Sequence, residues 1–412
     1  MSLTRVRTGD LKLIQELNRS IILNMIRECG PISRSEIAER NGISPSTVAS
    51  AVSDLIKDGY VFEDGTGNSK GGRKPIMLRV SPENHFIIGV AITNSNVTIA
   101  EMNLEASVRR KSVSKIENLK GTFVIPHILD SLETFLSKCP TDKECKGISI
   151  IVPGIVDNSQ GIIRLNTKFH LTNIPLKEIV EKKFNIKTWV ENDVKATVLA
   201  EKKFGKYSKY NNLIYVTIGD GVGAGIIMDG SVFRGNKGGS GEFGHTSVDR
   251  NGIRCECGNN GCLENYVCWG AVFSRIISSI SKGRSTDISN LIHNDITLIS
   301  PSVFCSSVKK KDSLSMDIME EIVGYMSVGV VNLVHLFNPE VIIFGGSIAH
   351  DNEVLIQKIN SYVKQHAIPI LTENLEIQQT SLGEDAELIG AASVLLQELF
   401  LFSLSTDAGI YR

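Results

Sequence analysis

Three cysteines and a histidine crowd into one stretch, GHTSVDRNGIRCECGNNGC, as His245, Cys255, Cys257 and Cys262. Thiolates and a neutral imidazole are the ligands zinc prefers, and four of them close a tetrahedral shell with no position open to water. The pattern predicts a structural Zn2+ rather than a hydrolytic one. Gly258 and Gly261 lie among these residues and give the backbone the freedom to bring the sulfurs together. Cys268 repeats no ligand spacing and reads as a core residue. A second group is Glu191-Asn192-Asp193, where an apolar run ends and a helical pattern starts. Polar groups at the carboxyl end of a sheet strand are well placed for a ligand, and the alternative for Asn192 or Asp193 is a helix cap. Two glycine-rich turns, IGDGVGAG at 218–225 and FGGS at 344–347, also follow apolar runs. Such turns let backbone approach phosphate, although a glycine run alone is a weak signal.

These groups need strands and helices to hold them. Strand-like apolar runs fall at 86–92, 97–102, 147–152, 213–218 and 341–344, and helical patterns at 123–137, 194–204, 318–336 and 386–400. Alternation of the two predicts an α/β architecture with largely parallel pairing.

The first 80 residues have a different character. An apolar stripe at helical spacing runs from 11 to 27 and is stopped by Gly30-Pro31. Ser33 and Glu36 then form a capping box, and that short helix ends at Asn41-Gly42. Ser44-Pro45 starts a third helix by the usual cap-then-proline device. Two apolar segments, 60–62 and 76–80, flank the run EDGTGNSKGGRKP and read as a hairpin. Three helices and a hairpin describe a winged helix-turn-helix. Its third helix would offer Ser44, Ser46, Thr47 and Ser50 to base edges, while Lys70, Arg73 and Lys74 on the wing would reach DNA phosphate or a minor groove. Ser81-Pro82 reads as a linker, which divides the chain into a DNA-binding domain at 1–81 and a larger domain at 82–412.

Composition limits the remaining classes. The chain has 412 residues, enough for two or three domains, and is 42% hydrophobic, enough for a sizeable core. Formal net charge is −1, so nucleic-acid binding would have to reside in a local module. Residues 1–80 hold twelve Lys+Arg against nine Asp+Glu, a net of +3. The polar opening MSLTRVRTGDLKL lacks a signal-peptide pattern, and no apolar run is long enough to span a membrane. With its cysteines clustered rather than spread as a disulfide framework, the chain is expected to be cytoplasmic.

Taken in order, these pieces resemble the ROK family of repressors, open reading frames and sugar kinases. The resemblance rests on GEFGH followed by CECGNNGCLE (241–264), VPGIVD (152–157), END (191–193), IGDGVGAGI (218–226), NPEVIIFGGSI (338–348) and GEDAELIGAA (383–392). With its winged helix the chain looks like the repressor branch. The resemblance implies a two-lobed, actin-like ATPase fold, lobe 1 at about 82–192 plus 386–412 and lobe 2 at about 193–385. It implies a sugar held by Gly154, Asn192, Asp193, Glu242, His245 and Glu264, with His245 also a zinc ligand. Variable residues after the VPGIVD loop, Thr167, Lys168 and His170, would help choose the sugar. In the family's kinases Asp193 would be the general base, so here it is a vestigial one.

The sequence departs from the family in one place. The first phosphate loop carries an aspartate, paired glycines and a threonine in the kinases, and here reads GVAITNS. Ala91 cannot help hold magnesium, and side chains at Thr93 and Asn94 obstruct backbone approach to phosphate. The expectation is a non-enzymatic repressor that binds operator DNA as a homodimer or homotetramer. It would sense a sugar or sugar phosphate of xylose, glucose or N-acetylhexosamine type. The alternatives are an ATP-dependent sugar kinase with a DNA-binding arm, and a repressor governed by a protein partner.

Overall fold

A computed structural model describes residues 11–68, 74–116, 119–139, 143–293 and 295–400. Helix Leu11–Cys29 leads into Arg34–Asn41 and Pro45–Lys57. The Ser33 hydroxyl and the Glu36 carboxylate satisfy each other's backbone amides, and Gly42 ends that helix in a left-handed conformation. Strands Val61–Thr66 and Ile76–Val80 pair antiparallel as the expected hairpin. A two-residue strand that periodicity does not reveal, Ile32–Ser33, adds to the outer side of Ile76–Val80. Val48, Val52 and Leu55 are buried against Ile22, Ile26 and Leu78, which leaves the opposite face of the third helix outside.

Two five-stranded sheets form the body. The first has the order Thr188–Asn192, Glu144–Val152, His85–Ile92, Asn96–Met102, Val108–Lys115. The second runs Ser231–Val232, Val222–Met228, Leu213–Ile218, Val341–Gly345, Glu376–Gln379. The expectation of largely parallel sheets is corrected here, since each sheet has two parallel and two antiparallel pairings. Connections at 93–95 and 103–107 are too short to carry a crossover helix, so those neighbours must reverse direction. A smaller antiparallel sheet, Ile155–Asp157, Ile162–Asn166 and Leu171–Ile174, follows the first sheet's second strand.

Helix Asp193–Phe204 sits between the two sheets. Ala196 and Leu199 pack with Ala391, Leu395 and Ile151, while Val194 and Val198 pack with Leu213, Tyr215 and Ile343 of the second sheet. Its buried Glu201 accepts hydrogen bonds from the Thr380 hydroxyl at 2.6 Å and the Ser381 amide at 2.8 Å. The 25-residue helix Ser313–Phe337 covers the second sheet, with Ile318, Ile322, Met326 and Val330 in its core.

Ser81-Pro82, expected to be a linker, lies in a packed stretch instead. The Ser81 amide bonds the Tyr60 carbonyl at 2.8 Å and Asn84 Nδ2 bonds the Gly59 carbonyl at 3.1 Å. His85 Nε2 lies 2.9 Å from the Asp58 carbonyl, and its ring packs tilted on Tyr60. A Ser-Pro pair is common in linkers, but here the backbone polar groups on either side find partners and stay fixed.

Candidate functional site

Asn192 ends a strand of the first sheet and caps helix Asp193–Phe204, its Oδ1 accepting from the Lys195 amide at 3.0 Å. The cap reading of this residue is therefore realised. Its Nδ2 donates to the Gly154 carbonyl at 3.0 Å and to Asp193 Oδ1 at 2.9 Å. One amide thus fixes both the 153–154 turn and the neighbouring carboxylate. Gly154 has φ +97°, and a Cβ there would lie 2.3 Å from the Leu165 carbonyl, so only glycine fits. Nearby, the Asn166 side chain bonds Pro153 at 2.9 Å and the Phe169 amide at 2.7 Å, shaping the 167–170 turn.

Burial pushes the Asp193 carboxyl up to about 6, with Glu242 adding repulsion. Burial also raises Glu242, whose carboxylate feels Lys195, His245 and Glu264. Glu264 accepts the Val222 amide at 2.9 Å beside the 219–221 turn. The Glu242 carboxylate thus acts on Asp193 at the helix start and itself feels Glu264 at the start of Glu264–Val267. Sequence reasoning missed two cations beside them. Lys195, 2% exposed, is held below the usual lysine range by burial, and the carboxylates of Glu191, Glu242 and Asp193 oppose that shift. Arg234 pairs at 2.9 Å with Glu191, which is 1% exposed. The signal for Lys195 was present, a charged residue on the inward side of a helix otherwise reading VKATVLA.

His245, Cys255, Cys257 and Cys262 do come together, with one ligand atom from each within 4.8 Å of all the others. Cys255 Sγ is 3.6 Å from His245 Nδ1, and Cys257 Sγ is 3.6 Å from Cys262 Sγ. The segment folds back on itself through bridges between Ser247 and Cys262 and between Arg254 and Asn260. Gly261, φ +66°, crosses so close to Asp249 that a Cβ would meet its carbonyl at 1.7 Å. Such a cluster could hold a metal ion. Cys268 lies outside it, partly buried against the second core.

Around the phosphate-type turns the picture is uneven. The 219–221 turn joins two antiparallel strands, as its glycines suggest. At 93–95 the Thr93 hydroxyl accepts from the Ser95 amide at 3.3 Å and the Asn96 amide at 3.0 Å. Ala91 is buried in the core. Between Asp193, Thr217, Gly346, Lys309 and Glu387 lies a cleft of about 670 Å³.

In the N-terminal unit, Ser46 and Ser50 are exposed and Thr47 is half-buried on the third helix. Ser44 is its cap, accepting from the Thr47 amide at 3.2 Å and lying 3.0 Å from the Ser46 hydroxyl. Lys74 is exposed at the base of the wing, whereas Lys70 and Arg73 lie outside the described residues.

A three-helix unit with a wing, and a two-sheet body with a carboxylate-lined site beside a histidine-cysteine cluster, define a two-module protein. Comparison with known proteins identifies both modules. Residues 88–398 match the profile of the ROK family, and residues 17–61 that of the winged helix-turn-helix DNA-binding family. The chain belongs to the ROK family. It is 32% identical to the xylose repressor of Caldicellulosiruptor bescii, over 96% of this chain and 99% of that one. It is 29% identical to the DNA-binding transcriptional dual regulator NagC of Escherichia coli K12, over 95% of each chain. Among solved structures, a ROK family transcriptional regulator, a homolog of the E. coli MLC protein, superposes with a TM-score of 0.83 at 26% identity, covering 94% of this chain and 97% of that one. A ROK family glucokinase from Streptomyces griseus shares the fold of the body, with a TM-score of 0.66 at 23% identity over 75% of this chain and 98% of its own.

Proposed function

We propose that this chain is a sugar-responsive transcriptional repressor that binds operator DNA through residues 1–81 and reads a sugar in the ROK body. One observation supports the reading: a winged helix-turn-helix is packed directly on a body in which the Glu242 carboxylate acts on Asp193 and itself feels Glu264 and His245 of the four-ligand cluster. Sugar hydroxyls donate and accept, so the remaining lone pairs of the Asp193, Glu242 and Glu264 carboxylates suit the hydroxyls as donors. Asn192 acts chiefly by position, because it already bonds Gly154 and Asp193.

We assign Zn2+ to the cluster. The 3.6 Å spacings match the edge of a tetrahedron built from zinc's usual bond lengths, about 3.5–3.8 Å. A bound zinc supplies rigidity here, clamping the segment that carries Glu242 to the one that carries Glu264. His245 turns Nδ1 toward the sulfurs, which leaves Nε2 to reach a sugar hydroxyl.

Phosphoryl transfer is disfavoured by the 93–95 turn. The Ser95 and Asn96 amides are already bonded to the Thr93 hydroxyl, and the Ala91 side chain offers no oxygen for magnesium. Sugar binding would instead bias the arrangement of two winged helices in a homodimer or homotetramer, the separation that operator half-sites read. The test is operator affinity measured with a panel of free sugars and sugar phosphates, beside a coupled ADP-release assay. A cognate sugar should shift affinity about 5–150-fold, the usual range of allosteric coupling. A flat response across the panel, or ATP-dependent turnover of about 1 per second or more, refutes the reading.

A further inference from the structure

Where the DNA-binding unit meets the body, helix Leu11–Cys29, the end of Asp193–Phe204 and helix Ala386–Phe400 border a half-open cavity of about 1010 Å³. It adjoins none of the proposed sugar ligands. Lys203 lies ten residues along the helix from Asp193, about 15 Å at the helical rise.

The charge of this cavity is unbalanced. Arg27, Arg79, Lys202 and Lys203 line it against two carboxylates, Glu28 and Glu105. Arg27 pairs with Glu28 at 3.2 Å, and Arg79 with Asp64. Lys202 gives its protons to the Ser208 and Tyr210 carbonyls, at 2.7 and 2.6 Å, and to Asn211 Oδ1 at 3.2 Å, and so keeps an uncompensated charge. Lys203 reaches the Ser393 carbonyl at a long 3.4 Å and makes no ion pair among the described residues. Burial, with the Arg27 guanidinium beside it, pushes the Lys203 ammonium down to about 7, against a weaker opposing pull from Glu398 and Glu28. On the same wall Gln397 Oε1 is buried and has no hydrogen-bond partner among the described residues.

A poorly partnered, half-buried ammonium and an orphan amide oxygen are both unfavourable in isolation. An anion carrying a hydroxyl resolves both at once: its oxygens accept from the cations, and its hydroxyl donates to the amide. We propose that this junction is a second effector site, for a small phosphorylated metabolite whose phosphate is held by Lys203 and Arg27 and whose hydroxyl meets Gln397. The volume is that of a metabolite pocket. Charge-assisted bonds to phosphate are the strong kind, and the Arg27 guanidinium matches phosphate geometry. Arg27 belongs to the DNA-binding unit while Lys203 and Gln397 belong to the body, so the ligand ties the two together. It favours whichever arrangement it bridges.

The test uses the full chain with sulfate, inorganic phosphate, a hexose 6-phosphate and the same hexose unphosphorylated, at constant ionic strength. Binding is followed by calorimetry, and operator affinity is measured in parallel. Lys203→Met should weaken sulfate and hexose phosphate about tenfold or more while leaving the response to free hexose unchanged. Asp193→Asn should do the reverse. Sulfate does not titrate near neutrality, so its binding at pH 7.5 should draw a proton onto Lys203. That uptake, read from the enthalpy in two buffers of different ionisation heat, should vanish in Lys203→Met. Lys203→Gln gives the same readouts if the methionine variant fails to fold. Sulfate affinity unchanged by the substitution overturns the proposal. So does a hexose phosphate effect lost only with Asp193→Asn, which would put the phosphate in the sugar cleft. An anion effect that is mere competition with DNA, equal for chloride, overturns it as well.

Discussion

Asp193 shows how one residue's surroundings set opposing demands. Burial raises its folded pKa to about 6 from an ordinary 3.8, so folding favours the neutral acid. The stability this contributes is full below the unfolded value and is lost as pH rises through about 6. At pH 7.5 the ionised carboxylate is therefore a burden on the fold, which its proposed role as acceptor for a sugar hydroxyl would account for. Asp193→Asn is expected to stabilise the ligand-free chain by on the order of 2–3 kcal/mol at that pH, visible as a higher Tm. The same variant should lose the sugar response, and an unchanged Tm with full sugar binding would remove both roles. At the cluster, metal analysis should find one zinc per chain. Cys255→Ser and Cys262→Ser, both at buried positions, should lose that zinc and, with the clamp gone, bind sugar more weakly in a calorimetric titration. A variant that sheds the metal yet answers sugar normally would show that the clamp does not organise the site.

Among the elements, the third helix of the N-terminal unit separates stability from recognition. Ser44→Ala removes the cap on the Thr47 amide and should destabilise the unit by about 1 kcal/mol. Ser50→Ala, on the exposed face, should leave Tm in place and weaken operator binding, as read in a mobility-shift titration. Equal losses of stability in both variants would reassign that face to structure. Gly154→Ala drives a methyl into the Leu165 carbonyl and should cost about 1–3 kcal/mol in chemical denaturation, because the turn must move away from the Asn192 amide that holds it. Much of this was legible in the residues. Caps, the Gly30-Pro31 stop and the turn glycines are local signals, and they placed the three N-terminal helices and most central strands. The grouping of His245 with Cys255, Cys257 and Cys262 was legible because metal-ligand types rarely crowd by chance. Strand Ile32–Ser33 was not, because two residues carry no period and their pairing is decided by Ile76–Val80, more than forty residues away. Sheet direction was misjudged although the four residues between the 86–92 and 97–102 runs already left no room for a crossover, and strand Val108–Lys115, largely exposed, carries no apolar run to reveal it. Lys195 and Arg234 escaped notice because a buried cation is defined by the carboxylates the fold brings to it, and Arg234 meets Glu191 from 43 residues away.

Across the whole molecule, helix Asp193–Phe204 joins the sites. Its first turn carries Asp193 and is capped by Asn192, its middle is pinned through Glu201 to residues 380–381, and its last turn reaches the junction beneath Arg27. One continuous helix therefore spans from the carboxylate site to the DNA-binding unit. The packed segment 81–85 extends that continuity past the domain boundary, with a practical result for the operator. A winged helix on a loose tether would tolerate half-sites at many separations, whereas one seated on the body through Ser81, Asn84 and His85 would make the proposed dimer a ruler. Each base pair added between half-sites turns one of them by about 35° and moves it about 3.4 Å. Binding should fall steeply for a five-base-pair insertion and recover in part at a full helical turn. A flexible glycine-serine insert after Ser81 should blunt that periodicity and, with it, the sugar's influence on DNA.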